Sequence, residues 1–362
     1  MTANTSWGTV PKFVTGDPGF AARVERRLAG LLTADRERYA RIAPDSGAMI
    51  DALLTATVRG GKRLRPTLAF LAFLGAGGEP EDPTIVDVGA ALELLHTGCL
   101  VHDDIMDASP TRRGRITTHT RYEQEHRRTG FTGNARRFGE GVATIVGDVA
   151  FFYAIGLLRD AGPEPQRVFC EMAVDVGVGQ YLDLLGAACS ADTAPDPATI
   201  ARYKTGRYTV EGPLQLGAAL AGRLAGLADV FTAYGRPVGL AYQLRDDLLG
   251  AFGDPAVTGK PVGDDLRQGK RTLLLQFAKQ RAAAGSSGDI LLAKAVGRTL
   301  LDAEVPALQQ FLIDIGAHDH VRDTCGELVA TAVDALEHAD IHTDVKHQLR
   351  QFAEYVGCFQ VS

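Results

Sequence analysis

Residues 94–115 read LLHTGCLVHDDIMDASPTRRGR, and the acidic run Asp103-Asp104-Ile105-Met106-Asp107 at their centre constrains the fold more than any other stretch. It lies in the tail of a long apolar-periodic segment that begins near Ile85, and that period predicts a helix. Residues four apart on a helix share a face, so Asp103 and Asp107 point the same way with Asp104 beside them. Three carboxylates that close repel unless something positive neutralises them. Leu94, Leu95, Cys99, Leu100, Val101, Ile105 and Met106 place the acids in or beside a core, where an unpaired charge is costly. A DDxxD string alone also occurs on solvated helix ends; these apolar flanks argue against that here. Hard divalent cations meet the need, since Mg2+ takes one or two carboxylates plus phosphate oxygens and water. Arg112, Arg113 and Arg115 follow directly, and guanidinium forks suit phosphate oxygens. Acids and then arginines at one helix end read as a metal-bridged diphosphate site.

A second acidic cluster strengthens that reading. Residues 242–254, YQLRDDLLGAFGD, form another apolar segment, with Asp246 and Asp247 at its centre, Gly250 four residues after Asp246 and Asp254 four further. Two Asp-rich helices facing each other across a cavity would hold several Mg2+ ions with a diphosphate bridging them. Further motifs are GGKRLRP at 60–66, His96, the RRG of 112–114, GQYLD at 179–183, Lys204-Thr205, YQLRDD at 242–247 and GKPVGDDLRQGKRT at 259–272. Together and in this order, from roughly Gly60 to Thr272, the chain resembles the trans-type polyprenyl (isoprenyl diphosphate) synthase family, most of all its bacterial geranylgeranyl-forming members.

The resemblance implies an all-α fold of the isoprenoid synthase type, a single-domain bundle of ten or more helices around a central substrate cavity. It implies head-to-tail coupling of isopentenyl diphosphate to an allylic diphosphate, with three Mg2+ ions per site that Mn2+ can replace. By the same resemblance Asp103, Asp107 and Asp246 hold the metal, and Asp104 and Asp247 belong to the catalytic set. Arg112, Lys204 and Lys260 bear on the allylic diphosphate, with Thr205, Gln243 and Lys270 in the substrate site. Lys62, Arg65, His96 and Arg113 hold isopentenyl diphosphate. No side-chain nucleophile is required, which agrees with the absence of any Ser/His/Asp or Cys/His arrangement in the sequence. A homodimer is expected from the family alone.

Composition sets bounds. A net charge of −6 argues against a general nucleic-acid binder. Five scattered cysteines without metal-ligand spacing point to a reduced, cytoplasmic setting. The start MTANTSWGTV lacks a basic region followed by an apolar run, so no signal peptide is expected. The best membrane candidate, residues 142–158, is short and contains Asp148, so a buried helix is expected there and no integral membrane segment. Residues 1–17 read as a loose tail ahead of one synthase domain over 18–362. Helices are expected over about 20–41, 47–58, 67–78, 140–159, 166–187, 197–220 and 226–252, with further amphipathic helices to 356. Residues 108–140, rich in Arg, Gly and Thr, read as one long irregular stretch.

One departure from the family stands out. Many relatives carry a third Asp where this chain has Gly250, which cannot ligate a metal; either Asp254 compensates or Asp246 and Asp247 act alone. The spacing 246–250–254 also matches class I terpene cyclases, although those want Ser or Thr at 250 and Glu at 254 and lack the isopentenyl-binding set. A non-catalytic subunit is the third possibility, but such chains lose an Asp motif and this one keeps both. Product length depends on the tunnel below Asp103. In relatives, bulky aromatics one turn before the first Asp stop growth at C15; Gly98 and Cys99 at those positions are small, so the resemblance implies growth past C15, and Phe151 with Phe152 would form a floor. The expected product is C20, ahead of C25 or longer and then C15.

Overall fold

Asp82 and Pro83 open the helix that carries the first acidic cluster. The Asp82 carboxylate accepts the Thr84 amide at 2.7 Å, and Pro83 sits at a position where the missing N–H has no helical partner anyway. The same Asp-Pro start recurs at Asp196 and Pro197, where Asp196 accepts the Thr199 amide at 3.1 Å.

The computed structural model describes residues 18–43, 45–58, 61–112, 114–189, 193–253, 262–297 and 299–358. The expected tail 1–17, together with Arg113, Asp254 and Lys260, lies outside the described residues. In chain order the helices are α1 (Pro18–Ala40), α2 (Ser46–Val58), α3 (Leu64–Gly75), α4 (Pro83–Met106), α5 (Thr118–Thr129), α6 (Ala135–Leu157), α7 (Pro163–Ala188) and α8 (Pro197–Ala201). A π-helix (Arg202–Glu211) follows, then α9 (Gly212–Leu220), α10 (Leu224–Phe252), α11 (Asp264–Arg267), α12 (Leu273–Arg281), α13 (Ser287–Val296), α14 (Val305–Asp314), α15 (Ala317–Glu337) and α16 (Thr343–Gly357). Among the described residues the only strands are β1 (Thr111–Arg112) and β2 (Arg115–Ile116), an antiparallel pair in register Thr111–Ile116 and Arg112–Arg115. The all-α fold is as expected.

The chain divides into two compact units, one from the described residues of Lys12–Val168 and Leu216–Arg223, the other from those of Phe169–Gln215 and Leu224–Ser362. In the first, Phe20, Val24, Leu28 and Leu32 repeat every fourth residue along α1 and are at most 1% exposed. Each such side chain stabilises the fold by roughly 1.5–3 kcal/mol. Phe20 stacks on Phe70 with centroids 4.1 Å apart. Gly89 of α4 lets α1 approach, since a Cβ there would lie 2.9 Å from a Val24 methyl. In the second unit, α10 is the spine. Its Tyr234 hydroxyl donates to the Leu349 carbonyl at 2.8 Å, and Arg245 donates to the Tyr355 carbonyl at 2.5 Å while lying over the Tyr355 ring.

Three expectations are corrected. Residues 108–140 are not one irregular stretch: they hold the hairpin, α5 and the start of α6. The charged residues there pair along helix faces, as Arg127 with Glu123 at 2.5 Å and Arg136 with Glu140 at 2.7 Å, and such pairs stabilise a helix whose polar composition looks loop-like. Asn134 accepts the Arg137 amide and caps α6, while Gly130 ends α5 at φ +70°. Second, the helix expected over 197–220 widens into π geometry across 202–211, a form that marks functional segments. Third, the apolar segment 142–158 is not a buried helix. Among the described residues two helices, Pro83–Met106 and Ala135–Leu157, are long and apolar enough to cross a membrane; the apolar window of the former is 72% buried, that of the latter 33%. One face of α6 packs on α4 and α5, and the other leaves Ile145, Phe152 and Ile155 more than half exposed.

Candidate active site

The first acidic cluster stands at the C-terminal end of α4, where the helix dipole is negative. Helix and acids therefore both call for a cation, and Arg112 provides one. It donates from Nε to Asp104 Oδ1 at 2.6 Å and from Nη2 to Asp103 Oδ2 at 2.8 Å. The β1–β2 hairpin folds the chain back so that Arg112 meets acids eight and nine residues earlier. Burial works against the Arg112 charge, but Asp104 and Asp103 outweigh it and hold its pKa above the ordinary value. Burial pushes the Asp104 carboxyl up to about 6 in spite of that partner, with Asp103 and Asp107 adding to the rise. Asp103 is half-buried and Asp107 exposed, so both present oxygens to the outside.

The basic motif at 61–66 splits by function. Arg63 turns inward at φ +47° and is 5% exposed. It ion-pairs with Glu93 of α4, and donates to Glu25 Oε1 and the Thr57 carbonyl, each at 3.1 Å. Lys62 and Arg65 on either side are left exposed and half-buried. Sequence reasoning missed this anchor, because nothing in the chain order pairs Arg63 with Glu93, thirty residues later. Arg65 and Asp103 both act on Cys99, whose thiol is pushed up to about 12, chiefly by burial. His96 is half-buried on α4 between Glu93 and the acids.

Below the acids, Gly98 is filled by its neighbour. A Cβ at Gly98 would lie 2.5 Å from the Phe151 ring of α6, and that ring meets His102 edge-on at 5.4 Å. His102 in turn reaches the Thr144 carbonyl at 3.1 Å over Gly147, whose Cβ would collide with the imidazole. Phe152 does not share this position: a step of one residue turns it to the other side of α6, where it is 73% exposed.

The second cluster lies on α10. Asp246 is exposed, while Asp247 is buried and accepts from Gln243 Nε2 at 2.7 Å. Burial pushes the Asp247 carboxyl up to about 8 despite that hydrogen bond, with Asp265 and Asp246 adding to the rise. Asp246, being exposed, is the more accessible oxygen donor of the two. Gln243 also accepts from the Thr205 hydroxyl at 2.5 Å, which ties the π-helix to the acidic helix. Lys204, one residue earlier, donates to Asp183 of α7 at 2.5 Å. Glycines make these approaches possible: a Cβ at Gly179 would lie 2.2 Å from the Lys204 nitrogen, and one at Gly239 2.5 Å from the Gly206 Cα. Lys270 stands 3.2 Å from Asp265. Arg207, which the motifs did not single out, fixes the far half of the π-helix. It donates to Asp175 at 2.9 Å, Glu211 at 2.8 Å and Gln215 at 2.7 Å.

Each acidic cluster by itself offers donors of the kind Mg2+ takes: Asp103 and Asp107 are hard oxygen donors at the negative end of α4, and Asp246 is one on α10. Among the described residues no three His, Cys, Asp or Glu side chains converge as a ready-made cage, and Mg2+ characteristically completes its shell with phosphate oxygens and water.

The polyprenyl synthetase family model matches residues 48–299, a span that contains both acidic clusters, the basic motif and the π-helix. A geranylfarnesyl diphosphate synthase of Aeropyrum pernix is 31% identical over 330 residues, covering 88% of this chain and 96% of its own. A geranylgeranyl diphosphate synthase of Mycobacterium tuberculosis is 32% identical over 292 residues, 79% of this chain and 77% of its own. Among solved structures, a geranylgeranyl pyrophosphate synthase of Corynebacterium glutamicum, complexed with isoprenyl diphosphate and magnesium, superimposes with a TM-score of 0.86 at 35% identity, covering 93% of this chain and 98% of that one. With the acid–arginine end of α4, the Thr205–Gln243–Asp247 chain and these matches in agreement, the chain belongs to the polyprenyl synthetase family.

Proposed function

We propose that this protein couples isopentenyl diphosphate head-to-tail to an allylic diphosphate of C5 to C15 and releases an all-trans polyprenyl diphosphate, C20 in its main product. The observation that carries the reading is Arg112 forked across Asp103 and Asp104 at the negative end of α4, in a chain of this family. Asp103, Asp107 and Asp246 are the Mg2+ ligands in this proposal, with three ions per site and Mn2+ as a substitute. When bound, Mg2+ supplies Lewis-acid charge to the allylic diphosphate.

The chain's own residues do the rest. Arg112 keeps Asp103 and Asp104 from repelling each other before substrate arrives, then offers its remaining donors to the allylic diphosphate, together with Lys204 and Lys260. Thr205 and Gln243 hold the π-helix against α10, so that Lys204 is already placed when the diphosphate binds. Lys62, Arg65, His96 and Arg113 hold isopentenyl diphosphate, and Lys270 contributes from the segment after α11. The allylic C–O bond breaks, the double bond of isopentenyl diphosphate forms the new C–C bond, and a proton leaves to the released diphosphate. The Phe151 ring seated against Gly98 ends the space for the growing chain, with Cys99 on the same wall. The bare apolar face of α6 is where a second copy packs in the homodimer that the family implies; sedimentation at micromolar concentration, yielding twice the 38.6 kDa chain mass, checks this.

The test is incubation with labelled isopentenyl diphosphate, Mg2+ and C5, C10 or C15 primers, with the products dephosphorylated and sized by mass spectrometry. A linear C20 alcohol is expected, and Cys99→Phe is expected to shorten it. A cyclic hydrocarbon formed without isopentenyl diphosphate would favour a cyclase, and unchanged length in the variant would remove Cys99 from the wall.

A further inference from the structure

Gly250 stands where a third acid would complete the second cluster, one turn after Asp246 on the same face of α10. The hollow it leaves is not empty. A Cβ built on Gly250 would lie 1.8 Å from Oδ2 of Asp265 and 2.5 Å from its Cγ. A carboxylate therefore already occupies the start of the path that a side chain at 250 would take. The two positions are complementary: no residue but glycine fits at 250 while Asp265 holds this place.

Asp265 is put there by its own turn. Gly263, at φ +71°, precedes α11, and the Lys270 amide donates back to the Asp265 carbonyl at 3.2 Å. The Asp265 side chain is only 13% exposed and lies 3.2 Å from the Lys270 ammonium. Its charge also reaches Asp247. A poorly solvated carboxylate whose charge reaches another aspartate is held by a counter-cation, and Lys270 fills that role.

We propose that Asp265 supplies the carboxylate that position 250 lacks, binding Mg2+ with Asp246, either directly or through a coordinated water. Asp254, the candidate suggested by spacing along the chain, is then not the replacement. The inference rests on the function proposed above and names a residue that the spacing of the acidic motif does not reach. It also gives Lys270 a second task, because the ammonium is released toward phosphate when metal takes over Asp265.

The test uses the full chain with Mn2+ as spin probe and inorganic diphosphate, followed by electron paramagnetic resonance, with thermal melts to verify folding. Asp265→Asn is expected to weaken Mn2+ binding about tenfold or more, the range for a residue that orients or completes a metal shell. The exchange Gly250→Asp with Asp265→Gly moves the carboxylate to the other side of the same gap and is expected to restore most of that loss. Wild-type affinity in Asp265→Asn overturns the proposal. So does a loss confined to Asp254→Asn, or an exchange variant that folds yet binds no better than Asp265→Asn. If the wild-type chain binds no Mn2+ with diphosphate, the functional reading falls with it; if the wild type binds and Asp265→Asn binds equally, only the role of Asp265 falls.

Discussion

Asp103→Asn is expected to lower kcat about 10^3-fold, roughly 4 kcal/mol of transition-state stabilisation, while the folded protein becomes no less stable. The change keeps the shape and leaves Arg112 an acceptor 2.8 Å away. It removes one of three negative charges from a helix end that already disfavours them, and relieves the neighbour that helps push Asp104 up to about 6. Under the proposed function it also removes a charged oxygen that binds metal. Activity and stability thus move in opposite directions, the pattern of a site held together at a cost to the fold. Steady-state kinetics with Mg2+ and a melting curve read both. Activity within tenfold of wild type would remove Asp103 from the metal set.

Glu93→Ala is expected to destabilise the protein by about 3–5 kcal/mol, the cost of leaving a buried cation without its partner. Arg63 and Glu93 are 5% and 4% exposed, and the remaining Arg63 contacts, Glu25 and two carbonyls, do not replace a buried carboxylate. Denaturant unfolding measures the loss. The double change Arg63→Met with Glu93→Leu removes both charges and is expected to recover most of it, because an apolar pair of similar size is often as stable as a buried ion pair. The KM for isopentenyl diphosphate is expected to stay raised in both variants, since the Arg63 anchor sets the positions of Lys62 and Arg65. A recovered KM in the double variant would separate the anchor from substrate binding.

Much of the site was legible because its chemistry is local. Asp103 and Asp107 are four apart, Arg112 follows within a hairpin, and Gln243 and Asp247 are again four apart and hydrogen-bonded. Helical period fixes such relations without tertiary information. The helices of the apolar segments followed for the same reason. Residues 118–140 misled because the number of charges in a window says nothing about which of them pair; Glu123 with Arg127 and Glu140 with Arg136 turned a loop-like composition into two helices.

The sequence by itself thus determined the all-α class, the two acidic clusters and the arginine beside the first. Each follows from residues within about two helical turns of one another, where backbone geometry alone sets the spacing. Only the tertiary structure decided which chemically similar residues face inward. Arg63 is an anchor and its neighbour Lys62 is not; Phe151 fills Gly98 while Phe152 lies bare; Asp265 takes the space at Gly250, fifteen residues away. These outcomes depend on which helices pack together and how closely their glycines let them approach, and contacts between distant segments leave no periodic trace in the chain.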